Sequence, residues 1–409
     1  MIQYKFVVKL LAAFAVFSML SVITANAAIG DLNAASKTIS GNTRNVAAPS
    51  VQWDQTFGGN AGNSSGRRVL QTTDDGFIIV GTTNSFGAGN SRIYLVKTDS
   101  SGKEQWEQTF GGKTGNSTGR GVLQTTDGGY IIVGQTNSFS ASKIKGYLVK
   151  TDSSGSVQWQ KTYGGNALNF GAFVQQTTDG GYIFVGSTFA DQAILAWLVK
   201  TDSSGTMQWE QTFPGTYGNN GATSVQQTTD GGYIITGTSI QSRDQSYAYL
   251  AKTDSSGSLQ WQQTFGGKGF NVGMSVQQTK DSGYIIGGAT NSSGAGKQQF
   301  YLVKTDSSGT KQWEQTFGGN GDGIAYAAQQ TNDGGYIIAG TDSLTAANRT
   351  QALLVKSDSS GSVQWQETFS GRGDCTAWDV QQTKDGGYIF VGSTYPGHAG
   401  RLDVYLAKL

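Results

Sequence analysis

The chain has 409 residues, of which 60 are glycine and 3 are proline, and its 36% hydrophobic share excludes a disordered chain. The 29 basic and 28 acidic residues nearly balance and form no basic run, which argues against nucleic-acid binding. A single cysteine, Cys375, excludes an intrachain disulfide, and a single histidine, His398, argues against a zinc site. We expect no metal and no cofactor.

The first 27 residues predict a signal peptide. Lys5 and Lys9 precede an apolar stretch, Leu10–Ile23, and the Ala-Asn-Ala triplet at 25–27 fits a cleavage site. The stretch is shorter than the roughly 20 apolar residues of a membrane span. We therefore expect export to the cell surface, the periplasm or the medium, with no transmembrane segment in the mature chain. An uncleaved N-terminal anchor is the alternative, and residues 28–50 are predicted to be a flexible lead-in.

Versions of three motifs each recur seven times at intervals of about fifty residues. One is Asp-Gly-Gly-Tyr-Ile-Ile and another is Tyr-Leu-Val-Lys. The third places a tryptophan within Val-Gln-Trp-x-Gln-Thr-Phe, and we expect these tryptophans to be structural: Trp53, Trp106, Trp159, Trp209, Trp261, Trp313 and Trp365. Three separate counts of seven indicate seven copies of one unit.

Each unit is predicted to contain four strands joined by tight turns. In the first unit these are Val69–Thr72, Phe77–Gly81, Ile93–Lys97 and Glu104–Phe110. The second strand is continuously apolar, which is typical of a strand covered on both faces. The fourth alternates between apolar and polar residues, which is typical of a half-exposed strand. Asp-Gly sequences between them favour hairpin turns.

The predicted fold is all-β: a seven-bladed β-propeller of four-stranded antiparallel blades over residues 51–409. A linear β-solenoid is the alternative. The last unit stops after its third strand, at Leu409, while a lone fourth strand, Val51–Phe57, precedes the first unit. We expect this N-terminal strand to complete the last blade and close a monomeric ring.

The run from Tyr182 to Trp209 resembles the tryptophan-docking repeat of PQQ-like propellers, although its turn is one residue shorter. The repeats are also similar to those of secreted archaeal and bacterial surface propellers, and the resemblance implies a PQQ-like or WD-repeat-like ring. The quinoprotein dehydrogenases of that family have eight blades, calcium-binding acids and adjacent cysteines, so we do not expect their chemistry here. The aspartates of the Asp-Ser-Ser-Gly turns are expected to form turns rather than bind calcium: Asp99, Asp152, Asp202, Asp254, Asp306 and Asp358.

The near-identical units differ most at two successive positions before the first strand. The first position carries Arg67, Arg120, Ala172, Thr223, Met274, Tyr326 and Trp378. The second carries Arg68, Gly121, Phe173, Ser224, Ser275, Ala327 and Asp379. We predict that both lie in connections around one mouth of the channel. Arg67, Arg120, Tyr326 and Trp378 would then form a cationic and aromatic arc suited to an anionic or carbohydrate ligand. The alternative is drift in unconstrained loops.

These features favour an exported, non-catalytic propeller that acts as a binding or scaffold module for a protein or glycan partner at the cell surface. One alternative is a lectin-like carbohydrate binder, although only turn and core residues repeat from unit to unit. A second is a propeller hydrolase or lyase, which requires acid and base groups that converge on one face. The sequence does not show such a set.

Overall fold

The computed structural model describes residues 47–59, 61–86, 90–139, 143–190, 193–215, 217–292, 297–318, 321–344, 349–370, 373–395 and 400–409. The predicted signal peptide, the lead-in up to residue 46 and His398 lie outside these described residues. Within them the chain forms 28 β-strands and no α-helix. None of the described segments is a helix long and apolar enough to cross a membrane.

The strands fall into four sets of seven according to their place in a blade. The innermost are β2 (Ser64–Gln71), β6 (Ser117–Gln124), β10 (Leu168–Gln176), β14 (Asn219–Gln227), β18 (Asn271–Gln278), β22 (Asp322–Gln330) and β26 (Cys375–Gln382). The second are β3 (Phe77–Thr83), β7 (Tyr130–Thr136), β11 (Tyr182–Ala190), β15 (Tyr233–Ser242), β19 (Tyr284–Thr290), β23 (Tyr336–Leu344) and β27 (Tyr388–Thr394). The third are β4 (Arg92–Thr98), β8 (Lys145–Thr151), β12 (Ala193–Thr201), β16 (Gln245–Thr253), β20 (Gln299–Thr305), β24 (Arg349–Ser357) and β28 (Asp403–Lys408). The outermost are β5 (Glu104–Phe110), β9 (Val157–Tyr163), β13 (Met207–Phe213), β17 (Leu259–Phe265), β21 (Lys311–Phe317), β25 (Val363–Phe369) and β1 (Trp53–Phe57).

Seven antiparallel four-stranded sheets confirm the predicted blades. Blades 1 to 6 are consecutive sets of four strands from β2 to β25, and blade 7 has the order β1-β28-β27-β26. Each innermost strand contacts the innermost strands of the two adjacent blades, including β2 with β26. The blades therefore form a ring around a central channel, as the repeats predicted, and not an open solenoid.

The N-terminal strand closes this ring. β1 pairs with β28, with Trp53 opposite Lys408 and Phe57 opposite Val404. Blade 7 also reaches blade 1 near the channel, where Lys384 N donates to Gln71 Oε1 at 2.9 Å. An equivalent hydrogen bond joins other neighbouring blades. For example, Thr178 N of blade 3 donates to Gln227 Oε1 of blade 4. The prediction of closure by the orphan strand is thus confirmed.

The hydrophobic core is divided among the interfaces between blades. At the junction of blades 7 and 1, buried residues of β27 and β28 pack against buried residues of β2, β3 and β4. Second strands are buried along most of their length, as in Tyr130–Thr136, because a neighbouring blade covers each face. Outer strands such as Met207–Phe213 are mostly exposed. This ranking agrees with the predicted order of burial.

The repeated tryptophans dock each blade onto the next. Trp209 of blade 3 lies against Tyr233 of blade 4, with 5.9 Å between ring centroids. A Cβ on Gly257, in the last turn of blade 4, would lie only 2.7 Å from the Trp209 ring, so only glycine leaves room for the indole. Most of these tryptophans are half-buried, whereas Trp365 is buried.

Every blade contains a buried lysine that pairs with an aspartate, which explains why these two residues recur in two of the motifs. Lys252, from Tyr-Leu-Ala-Lys, is 3% exposed, and its Nζ lies 2.9 Å from Asp230 of the Asp-Gly-Gly turn. It also donates to Thr253 O at 2.8 Å. The other pairs are Lys97–Asp74, Lys150–Asp127, Lys200–Asp179, Lys304–Asp281, Lys356–Asp333 and Lys408–Asp385. This pairing was not predicted from the sequence, although the lysine and the aspartate each recur seven times.

The second set of aspartates forms turns, as predicted. Asp254 Oδ1 accepts hydrogen bonds from the backbone N and hydroxyl of Ser256 and from Ser258 N. Equivalent bonds hold the turns of Asp99, Asp152, Asp202, Asp306 and Asp358. These bonds lower the pKa of Asp254, with the Ser256 hydroxyl as the largest cause.

Candidate functional site

A β-bulge interrupts every innermost strand at the same point. In blade 1, Gly66 pairs with Gly81 and Arg68 pairs with Val80, so Arg67 is left as the extra residue between them. The other six extra residues are Arg120, Ala172, Thr223, Met274, Tyr326 and Trp378. We call these seven residues the bulge ring. A bulge turns its extra side chain away from the normal strand alternation, and each bulge-ring residue is half-buried.

This location corrects one part of the sequence analysis. The innermost strand of blade 1 begins at Ser64 rather than Val69, so Arg67 lies within a strand and not in a connection. The signal that sequence reasoning overlooked is the small residue before each bulge, which is Gly or Ala in all seven units. At Gly171 a Cβ would lie 2.6 Å from the carbonyl oxygen of Gly134 in the preceding blade. The close approach of each innermost strand to the second strand of the preceding blade therefore requires a small residue there.

Three bulge-ring residues of blades 6, 7 and 1 are in contact, and Arg120 of blade 2 interacts with them through its charge. The guanidinium carbon of Arg67 lies 3.7 Å from the centre of the Trp378 ring. The ring of Tyr326 lies 4.0 Å from that of Trp378. Arg67 and Tyr326 come from the blades on either side of Trp378, so the indole is stacked between them. The aromatic pair thus holds Arg67 in place.

The two arginines at this site are electrostatically coupled. Burial, followed by the neighbouring charge of Arg120, lowers the pKa of Arg67 to about 9, although Tyr326 opposes the shift. Burial also lowers the pKa of Arg120. Both guanidinium groups remain charged at neutral pH. Among the described residues, no carboxylate or carbonyl accepts a hydrogen bond from Arg120. Two close cations in a protein-walled channel favour an anion.

The rest of the bulge ring leaves space beside the arginines. Blades 3 and 4 contribute the small residues Ala172 and Thr223, and blade 5 contributes Met274. The Thr223 hydroxyl donates to Gly273 O at 2.9 Å, so its polar group is already used. The open side of the ring is therefore mainly apolar. The large side chains are confined to the other four blades.

A second ring lies one residue further along each innermost strand. Arg68 Nε lies 3.3 Å from Asp379 Oδ2, and its guanidinium carbon lies 4.3 Å from the centre of the Phe173 ring. Arg68 of blade 1 contacts Phe173 of blade 3 across the intervening blade 2. The equivalent residue of blade 2 is Gly121, which has no side chain to block this contact. Burial raises the pKa of Asp379, although Arg68 opposes this shift. These contacts cross the channel beneath the bulge ring.

Among the described residues, no three His, Cys, Asp or Glu side chains form a group that could hold a metal ion. The expectation of a ring without metal or cofactor stays a prediction.

Comparisons with known proteins extend only to the fold. No protein-family model and no curated protein matches the sequence. A crystal structure of a catalytically inactive virginiamycin B lyase from Staphylococcus aureus with quinupristin is similar, with a TM-score of 0.56 and 11% identity over 87% of this chain and 99% of that one. A puromycin hydrolase is similar with a TM-score of 0.52 and 12% identity over 82% of this chain. The match covers half of the hydrolase chain. At these identities the likeness shows a β-propeller fold alone.

Proposed function

We propose that this chain is an exported, non-catalytic propeller that binds an anionic group of a glycan or protein partner at the cell surface. The ligand lies in the central channel against Arg67 and Arg120. The observation that carries this proposal is the bulge ring, where seven equivalent positions carry different side chains in otherwise matching blades. Two of them are arginines whose charges interact, and Arg120 has no hydrogen-bond acceptor among the described residues.

Export is supported by the basic, apolar and small-residue pattern of residues 1–27. We expect secretion of a mature chain that begins at Ala28, which N-terminal sequencing of the secreted protein tests. A mature protein that retains residues 1–27 would instead favour an N-terminal anchor.

Binding is favoured over catalysis because the recurrent acids have structural partners. Asp230 pairs with Lys252, and Asp254 holds a turn. Their equivalents in other blades do the same. The acidic residue nearest the bulge ring in sequence, Asp379, pairs with Arg68 and also accepts a hydrogen bond from Val69 N at 3.0 Å. These carboxylates stabilise the ring.

A ligand screen on the mature protein tests the proposal. The panel contains carboxylates, sulfate esters, phosphate esters and acidic glycans, with neutral glycans for comparison. Arg120→Met keeps an apolar side chain of similar length and removes the charge, so it should abolish binding of an acidic glycan hit. Arg243→Met, on the exposed β15–β16 hairpin, is the matched control and should bind normally. Equal binding by both variants, or hits among neutral glycans alone, would contradict the proposal.

A further inference from the structure

The central channel contains a cavity of about 160 Å³ beneath the bulge ring. Residues of the second ring line it, including Arg68, Phe173 and Asp379. A third ring also lines it, two residues further along each innermost strand, where strand alternation returns the side chains to the channel. The third ring consists of Leu70, Leu123, Gln175, Gln226, Gln277, Gln329 and Gln381. Five of its seven members are therefore glutamines.

Hydrogen bonds between blades fix the orientation of these five amides. Gln278 N donates to Gln226 Oε1 at 2.5 Å, and Gln330 N donates to Gln277 Oε1 at 2.7 Å. The same bond links Gln227 N to Gln175, Gln382 N to Gln329 and Gln71 N to Gln381. A backbone N–H can only donate, so the side-chain atom that faces it must be the carbonyl oxygen. The amide nitrogens are consequently the groups left to meet the cavity.

The remaining polar groups of the wall add further donors. Ser275 Oγ accepts from Ala328 N at 2.9 Å, and Ser224 Oγ accepts from Val276 N at 3.4 Å. Their hydroxyl hydrogens are therefore left to donate. Asp379 is the carboxylate in this lining, and it already receives Arg68 Nε and the Val69 amide. Side-chain donors thus outnumber side-chain acceptors on the cavity wall.

We infer that this cavity binds a compact oxyanion, such as sulfate, phosphate or a small carboxylate. An oxyanion accepts hydrogen bonds through every oxygen, whereas a water molecule must also donate and finds few side-chain acceptors here. Arg68 and Asp379 offset each other, and the charges of Arg67 and Arg120 above the cavity add a positive potential. This site is separate from the ligand site proposed in the bulge ring, and its hydrogen-bond donors do not include Arg67 or Arg120.

Isothermal titration of sulfate and phosphate at constant ionic strength, with chloride as the competing ion, tests the inference. Gln226→Glu keeps an oxygen for Gln278 N but replaces the cavity-facing donor with a carboxylate oxygen. We expect this variant to bind sulfate at least tenfold more weakly than the wild type. Gln227→Glu is the matched control, since Gln227 contacts Thr178 N and Gly231 O and does not line the cavity. It should bind sulfate as the wild type does.

A crystal structure with selenate locates the ion even if a variant folds poorly. The inference expects anomalous density between the glutamine amides of the third ring. Selenate found only between Arg67 and Arg120 would support the bulge-ring site of the proposed function and would overturn the inference that the cavity binds an oxyanion. Water alone in the cavity, or equal sulfate affinity in Gln226→Glu and Gln227→Glu, would also overturn it.

Discussion

Two regions of the molecule differ in how far they repeat. Contacts at the blade–blade interfaces are similar throughout the ring, whereas the side chains of the bulge ring vary. At six of the interfaces the same contact recurs, as Trp209 with Gly257 illustrates, and the pair of Lys252 with Asp230 recurs within each blade. In the bulge ring every blade adopts the same backbone bulge, but side chains range from Ala172 to Trp378. A repeated contact holds identical units together. Side chains that differ between matching blades do not contribute to that repeated contact.

From this difference and the proposed function, we expect stability and recognition to occupy separate parts of the molecule. Substitutions at the blade interfaces should change the free energy of unfolding. Substitutions in the bulge ring should change binding and leave that free energy nearly unchanged.

Deletion of the closing strand should have the largest effect. A chain that starts at Ala61 lacks β1 and leaves the edge of β28 unpaired. It also removes Trp53, which packs against Phe77 of blade 1 with 5.7 Å between centroids. We expect loss of cooperative unfolding and self-association through the open edge, because unpaired strand edges pair with other chains. Calorimetry with analytical ultracentrifugation tests this. A monomer that melts at the wild-type temperature would mean that closure contributes nothing.

The docking contact can be isolated with two glycines of matching backbone conformation. Gly257 has φ +82 and would place a Cβ 2.7 Å from the Trp209 ring, while Gly231 has φ +83 and has nothing within 4 Å. Gly231→Ala should cost about 1 kcal/mol, for the left-handed conformation alone. Gly257→Ala should cost about 1–3 kcal/mol more, because the added methyl overpacks the interface. Chemical denaturation measures both. Equal losses would show that the tryptophan does not depend on this glycine.

Acid should weaken the lysine–aspartate pairs. Burial alone would raise the pKa of Asp230, but hydrogen bonds from Thr228 and Lys252 bring it down to about 2. A carboxyl with a lowered folded-state pKa stabilises the fold above its unfolded pKa of about 3.9, and this stability is lost as pH falls through the folded value. We expect the melting temperature to fall between about pH 4 and pH 2. Asp230→Asn should remove part of this slope, and an unchanged slope would argue against the pair.

The repeats made the fold predictable, whereas the site was predictable only in part. Seven copies of one unit fixed the number of blades, and the lone strand before residue 58 indicated how the ring closes. Comparison between units also pointed to Arg67, Arg120, Tyr326 and Trp378, which do interact. Their place inside strands was missed because a bulge depends on register between strands, which one unit does not reveal. The link from Arg68 to Phe173 was missed because it skips a blade and depends on the absence of a side chain at Gly121.

Binding and melting measured side by side in Arg120→Met and Trp209→Ala test the separation most directly. The probe is an anionic hit from the ligand screen, titrated well below both melting temperatures. The account predicts that Arg120→Met loses binding and stays within about 0.5 kcal/mol of wild-type stability. It predicts that Trp209→Ala loses about 3 kcal/mol, near the low end for tryptophan truncation because the ring is half-buried, and still binds. Normal binding by Arg120→Met, or loss of both properties in both variants, would contradict the account.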